Sequence, residues 1–264
     1  MTAVTEAPVA LPRRWAWPTL PWTAPAGLLL LFVLWEALVV ATGVPATLVP
    51  APSSLPQAWA EELAGGYWQD AIRGSLGHWL TGLVLGSGLG VLAGLALGLA
   101  PGAERATSWV IRVLRPIPGL AWVPFAIIWF GATPAAATFI IAVSVFWLNL
   151  FATLGAVQSV DKDLIEVASA FGRRSAVARV WTVVLPAAAP GVMAGFRAGL
   201  GQAWMAVVAA ELFGVPGIGA RMMQAASLLA TETVVVYMLT MALLYGVTDA
   251  VFSLFRAKVL AWQR

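Results

Sequence analysis

Apolar residues gather in long unbroken runs along this chain, and the runs do not alternate with polar positions. Six of them approach the roughly 20 residues a helix needs to cross a bilayer: about 24–42, 76–100, 109–131, 135–157, 187–212 and 234–255. A barrel strand would instead alternate apolar and polar over about ten residues. Helix punctuation frames the runs. Pro25 opens the first and Gly43 closes it, Pro101-Gly102 ends the second, and Gly131-Ala-Thr-Pro134 makes a tight turn between the third and fourth. The pattern predicts an all-α polytopic membrane protein with about six transmembrane helices. Residues 1–22, rich in Pro, Ala and Thr, predict a mobile N-terminal tail, and 23–264 form one transmembrane domain.

Composition agrees. The chain is 61% hydrophobic and 10% charged, against about 25% charged residues in soluble domains. The net charge of +3 matters less than where the positives fall. With the N-terminus inside, the inner segments hold twelve basic residues: Arg13, Arg14, Arg105, Arg112, Arg115, Lys162, Arg173, Arg174, Arg179, Arg256, Lys258 and Arg264. The outer segments hold two, Arg73 and Arg221. That asymmetry predicts an even number of spans with both termini cytoplasmic. Arg13-Arg14 before an apolar run also fits a cleavable signal peptide, but a retained first span lets the charges alternate through every later loop. On the outer side, residues 55–73 (Leu55, Trp59 and Leu63 among charges) predict a surface amphipathic helix, and roughly 218–231 a second short helix.

There is no cysteine and one histidine, His78. Disulfides, thiolate chemistry and multi-histidine metal sites are therefore excluded. Scattered acids with a single histidine argue against an intramembrane enzyme. An ion-coupled transporter working alone would need paired intramembrane acids and two matching halves.

Gly82, Gly86, Gly90, Gly94 and Gly98 recur every four residues in the second span, and Gly191, Gly195 and Gly199 in the fifth. Such stripes let helix backbones approach closely in lipid. Four residues advance about 400° around a helix, so five glycines are expected to touch more than one neighbour.

The inner loop between spans four and five reads Asp161-Lys-Asp163-Leu-Ile-Glu166-Val-Ala168-Ser-Ala-Phe-Gly172-Arg173-Arg174, then Val183-Val-Leu185-Pro186. Asp161 or Asp163 is placed to cap a helix. Leu164, Ile165, Ala168 and Phe171 share one side. A short amphipathic helix on the cytoplasmic surface follows; the plainer account of it is an anchor in anionic lipid.

These residues resemble the permease subunits of binding-protein-dependent ABC importers. That family's loop carries Glu-Ala-Ala, three residues, Gly, nine residues, then Ile-x-Leu-Pro. Here Val167 replaces the first Ala, and ten residues separate Gly172 from Val183. One extra residue turns a continuous helix by about 100°, so a bulge or turn must absorb it. Arg115-Pro-Ile-Pro-Gly-Leu-Ala-Trp-Val-Pro124, Trp129-Phe-Gly131, Gly199-Leu-Gly-Gln-Ala-Trp204 through Glu211, Gly214-Val-Pro-Gly-Ile-Gly219 and Ala261-Trp262-Gln-Arg264 resemble the alkanesulfonate, taurine and nitrate branch.

The resemblance implies a permease that carries a small solute, expected to be an organosulfonate, with nitrate, another small anion or a nitrogen heterocycle as alternatives. It implies a coupling helix docked on a separate ATP-binding ABC ATPase, which would use the ATP and Mg; this chain shows no phosphate loop of its own and is expected to bind no cofactor and to catalyse nothing. Glu166 would contact the ATPase, Ala168 and Gly172 would keep the docking face small, and Leu185-Pro186 would end the loop and turn the chain into span five. The other implied partners are an extracytoplasmic solute-binding protein, a second copy of the chain and the bilayer of a bacterial inner membrane. Trp122, Trp129, Asn149, Gln202, Trp204 and Glu211 are candidates to line the pathway or gate.

Several residues read two ways from sequence. Glu211 either faces the outer gate or snorkels to the interface. Arg197 either attracts an anion or snorkels inward. Asp249 is expected to pair with Arg256, Glu36 to bond another helix, and His78 to be structural.

Overall fold

A computed structural model of the chain describes residues 23–114, 116–173 and 175–263. The tail 1–22, Arg115, Arg174 and Arg264 lie outside the described residues. Eleven α-helices appear among the described residues: α1 Thr23–Thr42, α2 Leu55–Ala64, α3 Tyr67–Leu99, α4 Pro101–Leu114, α5 Val123–Phe130, α6 Pro134–Gln158, α7 Lys162–Ala170, α8 Ala176–Arg179, α9 Leu185–Glu211, α10 Ile218–Ser227 and α11 Thr231–Val259. Five helical runs are long and apolar enough to cross a membrane; a sixth arises if α4 and Gly119–Phe130 are taken together.

The third span is thus a correction. Residues 109–131 read as one span, but the chain bends by 83° between α4 and Gly119–Phe130, so that span is broken. Pro116 and Pro118 supply the reason. Each removes a backbone donor, and Pro118 also pushes Ile117 out of helical geometry. A smaller correction concerns the surface helix over 55–73. It divides at Gly65-Gly66, where Gly66 takes φ +76°, and Tyr67 onward joins the second span as the start of α3.

The core is three helices side by side, with α6 in the middle. The glycine stripe of α3 lies on one flank of α6. A Cβ on Gly86, Gly90 or Gly94 would run into the carbonyl of Ala142, Phe146 or Leu150 in turn, one on Gly82 would strike the Ile141 side chain with the Thr138 carbonyl 3.2 Å away, and one on Gly98 would lie 2.7 Å from Val157 Cγ1. Both partners step by four residues, and the two helices run parallel. The stripe of α9 lies on the other flank, with Gly191 against Ala156, Gly195 against Ala152 and Gly199 against Asn149. All five glycines of α3 therefore meet one neighbour, not several. The i±4 ridge is inclined to the helix axis; a partner lying along it follows the stripe despite its drift around the helix.

The extra residue in the loop motif is housed in a π turn. Val180–Val184 is π-helical, and the Leu185 N–H reaches back to the Val180 carbonyl. A π turn absorbs one inserted residue while the helix continues. In consequence Leu185-Pro186 does not turn the chain, as the motif suggested. The run Ala176–Glu211 is helical throughout, and Pro186, which has no N–H to give, sits where the ladder changes register.

α1 stands apart. None of its apolar window is buried among the described residues. It is tied down by Glu36, which accepts hydrogen bonds from the Ser53 amide (3.0 Å) and hydroxyl (2.9 Å). Glu36 thus bonds, as expected, to another helical segment, the short 3-10 turn Pro52–Ser54 that leads into α2.

Candidate functional site

The inner-loop motif folds as α7. Asp161 caps it, accepting from the Asp163 amide at 3.0 Å. At the other end Gly172 takes φ +87°, its amide donates to Ser169 O, and the Arg173 amide donates to Ala168 O at 2.9 Å. This is a Schellman stop, which needs the left-handed region that glycine enters freely. Among the described residues, chain neighbours aside, nothing lies within 4 Å of where a Gly172 Cβ would sit, so among them the glycine is required by the backbone, not by crowding. Ser175 then caps the next helical turn through the Ala178 amide.

The motif residues stand where a partner can reach them. Glu166 is exposed, and Ala168 is half-buried on the opposite side with Ile165. Leu164 is 49% exposed, Val167 53% and Phe171 84%. Those three fall at i, i+3 and i+7, one stripe of helix surface. Val177 and Trp181 extend the exposed apolar surface past the loop. The expected grouping of Leu164 and Phe171 with Ile165 and Ala168 is thus split in two: Ile165 and Ala168 turn toward the bundle and the larger side chains away. Leu185 is half-buried and Pro186 exposed above the π turn.

The pathway candidates do not form one cluster. Trp204 is core: it stacks on Trp79 at 5.3 Å and donates its indole N–H to Thr248. Asn149 is fully buried at the crossing of α3, α6 and α9, and donates to Ser87 Oγ and Val145 O, both at 3.2 Å. Trp122 and Trp129 join an aromatic patch with Phe125 and Phe139. Trp129 is 56% exposed. Gln202 lies elsewhere, on a cavity beside Pro118 and Ser144.

Glu211 neither faces a lumen nor snorkels. It is fully buried, and both its oxygens are within 2.8 Å of the Ser75 hydroxyl. His78 Nδ1 is 3.0 Å away, and the Gly219 amide donates at 2.9 Å. Ser75 in turn accepts from the Ile218 amide. The carboxylate therefore sits at the N-terminus of α10, where free amides and the helix dipole favour an anion. Gly217 has no room for a side chain, because a Cβ would strike this carboxylate. His78, expected to be structural, belongs to this clamp.

Arg197 and Asp249 find each other, so the expected Asp249–Arg256 pair is not formed. Sequence held one signal for this: Arg197 is the one cation of span five, and Asp249 the one acid of span six. A second cluster was not foreseen. Arg221 donates to both oxygens of Glu62 (2.6 and 2.8 Å) and lies 4.2 Å from the Tyr67 ring centroid, while the Tyr237 hydroxyl donates to Glu62 at 2.6 Å. It joins α2, α3, α10 and α11. Among the described residues no three His, Cys, Asp or Glu side chains gather to hold a metal ion.

Comparison with known proteins places these features in context. Residues 86–261 match the family described as binding-protein-dependent transport system inner membrane component. A putative aliphatic sulfonates transport permease protein of Bacillus subtilis is 30% identical over 243 residues, 90% of this chain and 87% of the relative. Its namesake in Escherichia coli is 30% identical over 254 residues, 95% of this chain and 94% of the relative. A putative ABC transporter permease protein of Methanocaldococcus jannaschii is 33% identical over 187 residues, 70% of each chain.

Proposed function

The chain belongs to the family of binding-protein-dependent transport system inner membrane components, and from that premise we propose that it forms half of an import pathway for a small organosulfonate. The solute reading is drawn from the sulfonate permeases it resembles over nearly its whole length. Nucleotide hydrolysis belongs to a separate ATPase subunit, which docks on α7. An extracytoplasmic binding protein delivers the solute, and a second copy of the chain completes the pathway as a two-fold homodimer.

The observation that carries this reading is the exposed face of α7. Leu164, Val167 and Phe171 lie open beside Glu166 on a helix that is rigidly stopped at Gly172. Exposed apolar stripes with a polar rim mark protein contacts. Both termini are cytoplasmic in this reading, which puts α7 with the basic residues and α2 and α10 on the outer side. ATP-driven closure of the two ATPase subunits moves α7, and the continuous helix Ala176–Glu211 carries that motion into the bundle as a rigid body.

The test is uptake by proteoliposomes that hold the chain, its ATPase and its binding protein. ATP-dependent accumulation of ethanesulfonate is expected. ATP-dependent accumulation of nitrate or bicarbonate but no sulfonate would overturn the solute. Failure of the chain to retain an ATPase in mild detergent would overturn the importer reading itself.

A further inference from the structure

The break in the third span leaves irregular backbone beside α6. At membrane depth such backbone persists only where protein covers it or where it lines a cavity. Here it lines one. A space of about 250 Å³ lies between Pro118 on the bend, Ser144, Trp147, Leu148 and Phe151 on α6, and Gln202 on α9. Gly119 closes up against Ser144 so tightly that a Cβ there would strike the hydroxyl; the bend is thus seated on α6.

The chemistry of the lining divides in two. Among the described residues neither the Gln202 carboxamide nor the Trp147 indole N–H has a hydrogen-bond partner. Ser144 already donates to Ile140 O at 2.7 Å. Two uncommitted donors therefore face an otherwise apolar wall of Pro118, Leu148 and Phe151. Neither donor is among the buried polar atoms without a partner, so both stay open to a solute that enters the space.

We propose that this cavity is a solute subsite for a small oxyanion with a short apolar tail, of the short-chain alkanesulfonate class. The Gln202 N–H groups and the Trp147 indole N–H donate to the oxyanion, and the apolar wall takes the tail. The proposal rests on the importer reading above. Uncharged donors of this kind suit a transit site, where binding must be favourable enough to enter and weak enough to leave.

The chain has no cysteine, so one introduced thiol reports cleanly. In the assembled importer, Leu148→Cys is treated with sulfonatoethyl methanethiosulfonate, which carries the proposed head group, and with its trimethylammonioethyl counterpart. Each rate is normalised to that of a small free thiol. The expected result is about a tenfold preference for the anionic reagent, the worth of a hydrogen bond to a charged group, and slowing of that reaction by ethanesulfonate. Adding Gln202→Leu and Trp147→Phe should bring the two rates together while both reagents still label. Ser144→Cys serves if Leu148→Cys fails to assemble. Equal rates, no labelling, or a preference that survives the double change would each overturn the subsite. Ethanesulfonate uptake measured on the same complex keeps the two ideas apart: uptake without the preference removes the subsite alone, and absence of uptake removes the reading beneath it.

Discussion

Arg197 grips Asp249 through two parallel hydrogen bonds, Nε to Oδ1 and Nη2 to Oδ2, each 2.8 Å. The pair ties α9 to α11 inside the apolar part of both helices. An ionised group inside a span is tolerated when it is paired, so either residue alone is a liability. Arg197→Met or Asp249→Leu should lower the melting temperature of the detergent-solubilised protein, and the double variant should recover most of the loss. A double variant as unstable as the sum of the two singles would show that the pair does not act as a unit.

Gly90 and Gly88 test the packing of α3 against α6. A Cβ on Gly90 would come 2.5 Å from Phe146 O and 3.0 Å from Asn149 Cβ, whereas among the described residues nothing lies within 4 Å of one on Gly88. Gly90→Leu should cost about 1–3 kcal/mol or prevent folding, because close-packed backbones cannot yield. Gly88→Leu should leave yield and melting temperature unchanged. Equal behaviour of the two would contradict the parallel α3–α6 contact.

The Glu211 clamp should be structural in its effect. Glu211→Ala strands Ser75, His78 and the Gly219 amide in a buried site. Each unsatisfied group costs about 1–3 kcal/mol. Hydrogen exchange should quicken at 217–221 while α7 is unaffected. Unchanged protection of the Gly219 amide would refute the clamp.

Spans with simple periodicity and clear punctuation were legible from sequence. The first and fourth agree with α1 and α6 to a residue or two, because Pro134 and Gly43 act locally. What escaped was non-local. Glu211 reads as either a gate or a snorkelling residue because Ser75 and His78, its partners, lie in another helix; Asp249 is matched to a near neighbour for the same reason. The bend at Pro116–Pro118 was in plain view, yet the apolar run across it concealed the break. The motif's extra residue announced a bulge, but only the hydrogen-bond register of Val180–Leu185 reveals a π turn.

The proposed docking of an ATPase on α7 is the central claim to test. Glu166 is exposed and Gly172 holds φ +87°, so their substitutions separate contact from shape. The measurement is ATP hydrolysis by the reconstituted importer, with and without loaded binding protein, beside detergent pull-down of the ATPase. Glu166→Ala removes one charged contact, worth about 1–3 kcal/mol if desolvated. Gly172→Leu strains the helix stop, whereas Gly172→Asn, which tolerates the left-handed region, should keep it. The account predicts that Glu166→Ala and Gly172→Leu lose stimulated hydrolysis and ATPase retention while the permease still inserts and melts normally, and that Gly172→Asn stays near wild type. Full stimulation and retention in a Glu166→Ala, Gly172→Leu double variant would contradict it, and would make α7 a lipid anchor instead.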